Sequence, residues 1–105
     1  MQKKELTKFE IYVGLVNKTT LREVTLEEVG ALINSIFKER KIAFSIVRQL
    51  GGYAHEYGYS TENSIRVTLF DITEGEVENI AMKLKEGLVT DAVLITREVC
   101  DFYYK

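Results

Sequence analysis

The stretch SIRVTLFDITEGEVENIAMKLKEGL, from Ser64 to Leu88, decides the fold. In its first part Ile65, Val67 and Leu69 alternate with Arg66, Thr68 and Phe70, the period of two that marks a half-buried strand. A strand is expected from Ser64 to Ile72. Thr73 then stands three residues before Glu76, the spacing at which each side chain can satisfy a backbone N–H at a helix start. Beyond that pair the apolar period changes. Val77, Ile80, Ala81, Leu84 and Leu88 recur at helical spacing and form one stripe. Gly87 reads as the C-terminal end of this helix, because glycine tolerates the left-handed backbone that closes one.

Working outward, the same two signals recur. Phe9, Ile11, Val13 and Leu15 alternate with Glu10, Tyr12 and Gly14, so a strand is expected from Lys8 to Val16. Thr25 and Glu28 repeat the capping spacing and open a helix to about Arg40. Its apolar stripe is Leu26, Val29, Leu32, Ile33, Ile36 and Phe37. A second strand follows from Ile42 to Leu50, with Phe44 and Ile46 inward. A fourth runs from Asp91 to about Glu98, ahead of an aromatic tail, DFYYK. The order β-α-β-β-α-β defines an α+β, ferredoxin-like fold. It implies a four-stranded antiparallel sheet in the order 4-1-3-2, with both helices on one face.

Composition bounds the partners. The 105 residues, 46% of them hydrophobic, supply one core and little more, so a single domain over 1–105 is expected. The net charge of −2, with Lys and Arg scattered and outnumbered, points away from nucleic acid, which needs a basic face. No apolar run approaches the roughly 20 residues of a membrane helix. The N-terminal MQKKELTKFE lacks the apolar region of a secretory signal, and the single Cys100 fits a reducing cytoplasm. Cys100 reads as a small half-buried residue, not a nucleophile.

In this fold one sheet face lies bare. Tyr12, Val16, Val47, Phe70 and Leu94 are candidates for it, beside Glu10, Arg66, Thr68 and Glu98. Two covers suggest themselves: the tail from Phe102 to Tyr104, or a second copy of the chain. Contiguous apolar exposure usually marks an interface, so a homo-oligomer, a dimer or higher, is expected.

The segment GGYAHEYGYSTEN, from Gly51 to Asn63, holds three of the seven glycines, three of the six tyrosines and the only histidine. It reads as a connection of about thirteen residues where a hairpin needs about two to five. Extended, it would place Tyr53, His55, Tyr57 and Tyr59 on one face. With Glu62 and Asn63 at its base it is the expected recognition surface, and packing or subunit contact ranks ahead of small-molecule binding. His55 and Glu56 invite a catalytic or metal reading, but neighbours in a strand point to opposite faces and no second histidine exists. No metal site, cofactor or catalytic residue is expected. A second candidate is the loop NKTTLREV (17–24), where Lys18, Arg22 and Thr25 precede a helix N-terminus that favours anions. No phosphate-binding glycine motif accompanies it.

The combination of IYVGL (11–15), TENSIRVTLFDI (61–72) and DAVLIT (91–96) resembles small uncharacterised ferredoxin-like proteins of bacteria and their phages. The long segment between the second and third strands, 51–63, also resembles the protruding loops of nitrogen-regulatory signal proteins and their trimeric relatives, without their nucleotide-binding motifs. The resemblance implies a phage accessory role, such as blocking a host defence protein or soaking up its signal nucleotide. The leading expectation is therefore a non-catalytic binding protein that recognises a protein partner or sequesters a small ligand. The alternatives are a small enzyme using His55 or Glu56 on a phosphorylated substrate, and a structural homo-oligomer subunit.

Overall fold

The computed structural model describes residues 1–91 and 93–105; for Tyr53 and His55 it describes the backbone only. The chain runs β1 (Gln2–Gly14), α1 (Leu26–Phe37), β2 (Phe44–His55), β3 (Gly58–Phe70), α2 (Glu74–Leu88) and β4 (Val93–Tyr104). The sheet is antiparallel in the order β2-β3-β1-β4, the α+β topology that the sequence implies. β1 and β3 are central. Phe9, Ile11 and Val13 of β1 meet Leu69, Val67 and Ile65 of β3 rung by rung. All six are buried, and they form one core with Val29, Ile33, Ile36 and Phe37 of α1 and Val77, Ile80, Ala81, Leu84 and Leu88 of α2.

Both helices begin at the threonines that the spacing selects. At α2 the box is complete. Glu76 N–H donates to Thr73 Oγ1 at 3.1 Å, and Thr73 N–H donates to Glu76 Oε1 at 3.4 Å. At α1 only half forms: Glu28 N–H donates to Thr25 Oγ1 at 3.2 Å. Gly87 does not close α2. The left-handed residue there is Val89, at φ 52°, while Gly87 stays helical. A Cβ on Gly87 would lie 2.6 Å from Leu32 Cδ2, so glycine serves the close approach of the two helices. α1 stops at Phe37, and the Phe37 ring stacks on Phe44 with centroids 4.1 Å apart.

All four strands are longer than the apolar alternation implies. β1 starts at Gln2, and its polar first half is held by pairing with the end of β4, from Gln2 opposite Tyr104 to Glu5 opposite Asp101. The aromatic tail therefore does not fold back over the sheet; it continues β4. Phe102 packs edge-on against Phe70 at 5.1 Å on the bare face, with Tyr104 at 5.5 Å from Phe102. Val16 lies beyond β1, in a single bridge to Glu23.

The segment from Gly51 to Asn63 is not a long loop. β2 and β3 stay paired from Phe44 opposite Leu69 to His55 opposite Gly58, and only Glu56 and Tyr57 make the turn. Gly58 beside it adopts φ 133°, a value that suits glycine. This ribbon runs past the rest of the sheet. With the paired ends of β1 and β4, which run past β3 at the opposite end, it gives the molecule a long 50 Å axis and a radius of gyration of 15.1 Å, against about 13 Å for a compact chain of this length.

Removing the complete cap of α2 tests this reading of the fold. Thr73→Ala should lower unfolding stability by about 1 kcal/mol in urea titration, and Thr73→Ser should restore most of it. An unchanged midpoint in the alanine variant would contradict it.

Candidate functional site

Strict alternation on β1 and β3 sends every second residue to the face that no helix covers. At the end of that face nearest the ribbon, the inward positions are small. Gly14 pairs with Ser64, Ser64 with Gln49, and Gly51 with Glu62. Neighbouring strands in a sheet normally fill such rungs with side chains, and two absent side chains and one hydroxymethyl leave a depression. It is a trough of about 440 Å³, within the ordinary range of small-molecule sites. Tyr12 and Leu94, opposite each other on β1 and β4, wall one side. Glu62, Gln49 and Asp91 supply polar groups around the rest. A Cβ added at Gly51 would meet only Glu62 O at 3.8 Å and Ser64 Oγ at 3.9 Å, so the space there is open.

The charges around the trough have one sign. Among the described residues that line it, Glu62 and Asp91 carry carboxylates, and no Lys, Arg or His is present. Lys18 Nζ lies 3.2 Å from Asp91 Oδ1 and balances that group from outside, which leaves Glu62 as the carboxylate of the lining with no ion-pair partner among the described residues. Below the trough lies a row of ionised groups. The Tyr12 hydroxyl donates to Glu10 Oε2 at 2.5 Å, Lys8 Nζ is 3.2 Å from Glu10 Oε1, and Arg66 Nε is 3.9 Å from Oε2. The hydrogen bond from Tyr12, ahead of the nearby Lys8 and Arg66, holds the Glu10 carboxyl below the usual glutamate range against the opposing effect of burial. Lys8 is shifted up, first by its hydrogen bond to Glu10 and then by the charge of Glu98.

The residues singled out from sequence fall in several places. Glu62 lines the trough, whereas Asn63, next to it, faces the other way and accepts a hydrogen bond from Leu15 N–H at 3.0 Å through its carbonyl. Glu56 and Tyr57 form the ribbon tip, where Tyr57 is 88% exposed. At about 3.3 Å per residue the tip is roughly 13 Å beyond Gly52. Tyr59 is 71% exposed and lies against Gly52, where any Cβ would overlap its ring. The four positions do not share one face of the ribbon, because the chain reverses at Glu56 and Tyr57. Tyr59 stands opposite Ala54 and Tyr53 opposite Ser60, so those two positions alternate across the ribbon. The side chains of Tyr53 and His55 lie outside the described residues.

The loop candidates do not come together as an anion site. Lys18 is engaged by Asp91, the Thr25 hydroxyl caps α1, and Arg22 is exposed with its backbone holding the turn back to Asn17. Sequence reasoning missed Gln49, Gly51, Gly14 and Asp91 as site residues. The alternation that puts Tyr12 and Leu94 on the bare face is the signal in the sequence that points to this site.

No protein-family model matches the chain, and no curated protein matches it. Solved structures do. A phage SAM lyase in complex with S-methyl-5′-thioadenosine aligns with a TM-score of 0.69 and 24% identity, covering 95% of this chain and 93% of that one. CutA1 from Oryza sativa aligns at 0.59 with 18% identity, over 90% and 80%. A Bacillus subtilis GlnK–ATP complex aligns at 0.59 with 12% identity, over 91% and 82%. These likenesses establish the ferredoxin-like fold shared with CutA1 and GlnK. They also correct the expectation of a protein without catalytic activity, because this fold, at nearly full length, carries an enzyme in the phage lyase.

Proposed function

We propose that the chain is a lyase acting on S-adenosylmethionine, with the trough at the base of the ribbon as its site. The observation that carries this reading is the charge of the trough. A ligand with a phosphate would meet Glu62 and no balancing cation in the lining, which argues against ATP or another phosphorylated substrate. S-adenosylmethionine instead brings a sulfonium and an α-ammonium, and both are stabilised by a carboxylate. Its adenine needs an aromatic or apolar wall, and Tyr12 and Leu94 offer one.

The reaction balances without water or an external base. The carboxylate oxygen of the substrate forms a bond to its own Cγ, the Cγ–S bond breaks, and the electron pair stays on sulfur. The products are S-methyl-5′-thioadenosine and a four-carbon lactone that keeps its ammonium. Opposite charges disappear along this path, so a site that excludes water lowers the barrier. Glu62 holds the ammonium and so aims the carboxylate at Cγ, while Gln49 and Ser64 orient the polar parts of the ligand. Consumption of the methyl donor would starve methyltransferases in the same cell, the chemical content of a phage anti-defence role.

A water-excluding site needs a cover that the described residues of a single chain do not supply, and we extend the proposal to a homo-oligomer assembled over the bare face. Exposed apolar groups support this: Leu94 is 61% and Val47 44% exposed on that face, and β2 and β4 both end the sheet with unpaired edges.

Two measurements test these statements. Release of S-methyl-5′-thioadenosine from S-adenosylmethionine should be detectable by chromatography. Glu62→Gln should reduce it about ten- to a hundredfold, the loss expected for a hydrogen bond to a charged group, while Tyr57→Ala leaves it unchanged. No release by the intact protein, or full activity in Glu62→Gln, would sink the reading. In light scattering the particle should weigh a multiple of 12.1 kDa, and Val47→Glu should lower that multiple; a monomer at micromolar concentration contradicts the assembly.

A further inference from the structure

Glu10 sits in the middle of a face that no helix covers, yet its side chain is only 16% exposed. Neighbouring side chains enclose it. Lys8 and Tyr12 flank it on β1, Thr68 stands opposite on β3 and Thr96 on β4, and Arg66 reaches it from β3. A carboxylate so enclosed loses hydration and is kept only where partners compensate. Here they are specific. Oε1 is held by Lys8 at 3.2 Å, and Oε2 takes the Tyr12 hydroxyl at 2.5 Å, the short distance typical of a hydroxyl on an ionised carboxylate. Lys8 is held in turn by Glu98 at 3.7 Å on β4. The row is thus braced across three strands, and it ends on the one aromatic side chain among the described residues that line the trough.

Tyr12 without an anchor would have several staggered rotamers open to it on an uncovered sheet. Anchored at its hydroxyl, it keeps its ring beside the trough. We propose that Glu10 is a positioning residue: its carboxylate fixes the ring of Tyr12 as the wall on which the adenine of the ligand lies. The ligand in this statement rests on the function proposed above; the link between Glu10 and Tyr12 does not.

The link carries a pH signature with a defined sign. The charged and titratable groups that face Glu10 are Lys8 and Tyr12 on its own strand and Arg66 on β3, with Glu98 on β4 reaching it through Lys8. Because the folded-state pKa of Glu10 is depressed, the ionised link persists at and above the ordinary glutamate range. It is lost only as pH falls through the depressed value.

The test uses the full chain with isotope label at the tyrosine ring carbons, the Tyr12 signals being identified by their absence in Tyr12→Phe. In the native protein the Tyr12 Cζ resonance should stay constant from neutral pH downward and step only below the ordinary glutamate range. Glu10→Gln should abolish the step. Calorimetric titration with S-methyl-5′-thioadenosine gives the second readout. Glu10→Ala should weaken binding about tenfold in the native background and less than about twofold in a Tyr12→Phe background, since coupled residues are not additive. Equal losses in both backgrounds, or a Tyr12 resonance indifferent to Glu10, overturn the inference. A protein that binds no thioadenosine but keeps the Glu10-dependent step rejects the ligand while upholding the link. Absence of the step rejects the link whatever binds.

Discussion

Alternation along β1 and β3 is the constraint on which everything else rests. Side chains on a strand point to opposite faces in turn. Once Phe9, Ile11, Val13, Ile65, Val67 and Leu69 are buried under the helices, the residues between them have no choice of side. Glu10, Tyr12, Gly14, Ser64 and Arg66 are therefore delivered together to the open face. A shift of register by one residue would expose the core and bury the charges, so the hydrophobic pattern that fixes the fold fixes the site as well. The trough is made of what this alternation leaves out, the missing side chains of Gly14 and Gly51 and the small one of Ser64.

The parts legible from sequence are those with a local physical signature. Thr73 and Glu76 announce α2 because the cap is made within four residues, and the stripe from Val77 to Leu88 follows from helical spacing. The order of strands follows from the element order. The ribbon was not legible as a ribbon. From Gly51 to Ser60 none of the described side chains is buried, no apolar alternation marks the strands, and Glu56-Tyr57 carries none of the usual turn chemistry. Its pairing is long-range, and only Gly58 hints at the turn. The polar start of β1 was missed for a related reason: Gln2 to Glu5 are strand because β4 pairs with them, not because they are buried.

The site was half legible. Glu62 was selected at the base of the Gly-Tyr segment, and Tyr12 and Leu94 were placed on the bare face. Their meeting depends on register between strands distant in sequence, which composition does not encode. The attention drawn by His55 and the tyrosines came from residue chemistry alone. The structure puts Glu56 and Tyr57 at an exposed tip and the depression at the other end of the ribbon, beside glycines. A catalytic expectation tied to a histidine also undervalues chemistry in which the substrate supplies its own nucleophile. There a protein needs shape, a carboxylate and exclusion of water more than it needs an acid–base pair.

A thioadenosine bound in the depression between Tyr12 and Glu62 would perturb the backbone around it, and titration reads that binding. Backbone amide shifts recorded while S-methyl-5′-thioadenosine is added to the isotopically labelled protein test it most directly. Saturable changes should be confined to Tyr12, Gly14, Gln49, Gly51, Glu62 and Ser64, with the tip at Glu56 and Tyr57 undisturbed. Changes centred on the tip or on the helices, or none at millimolar ligand, would contradict it.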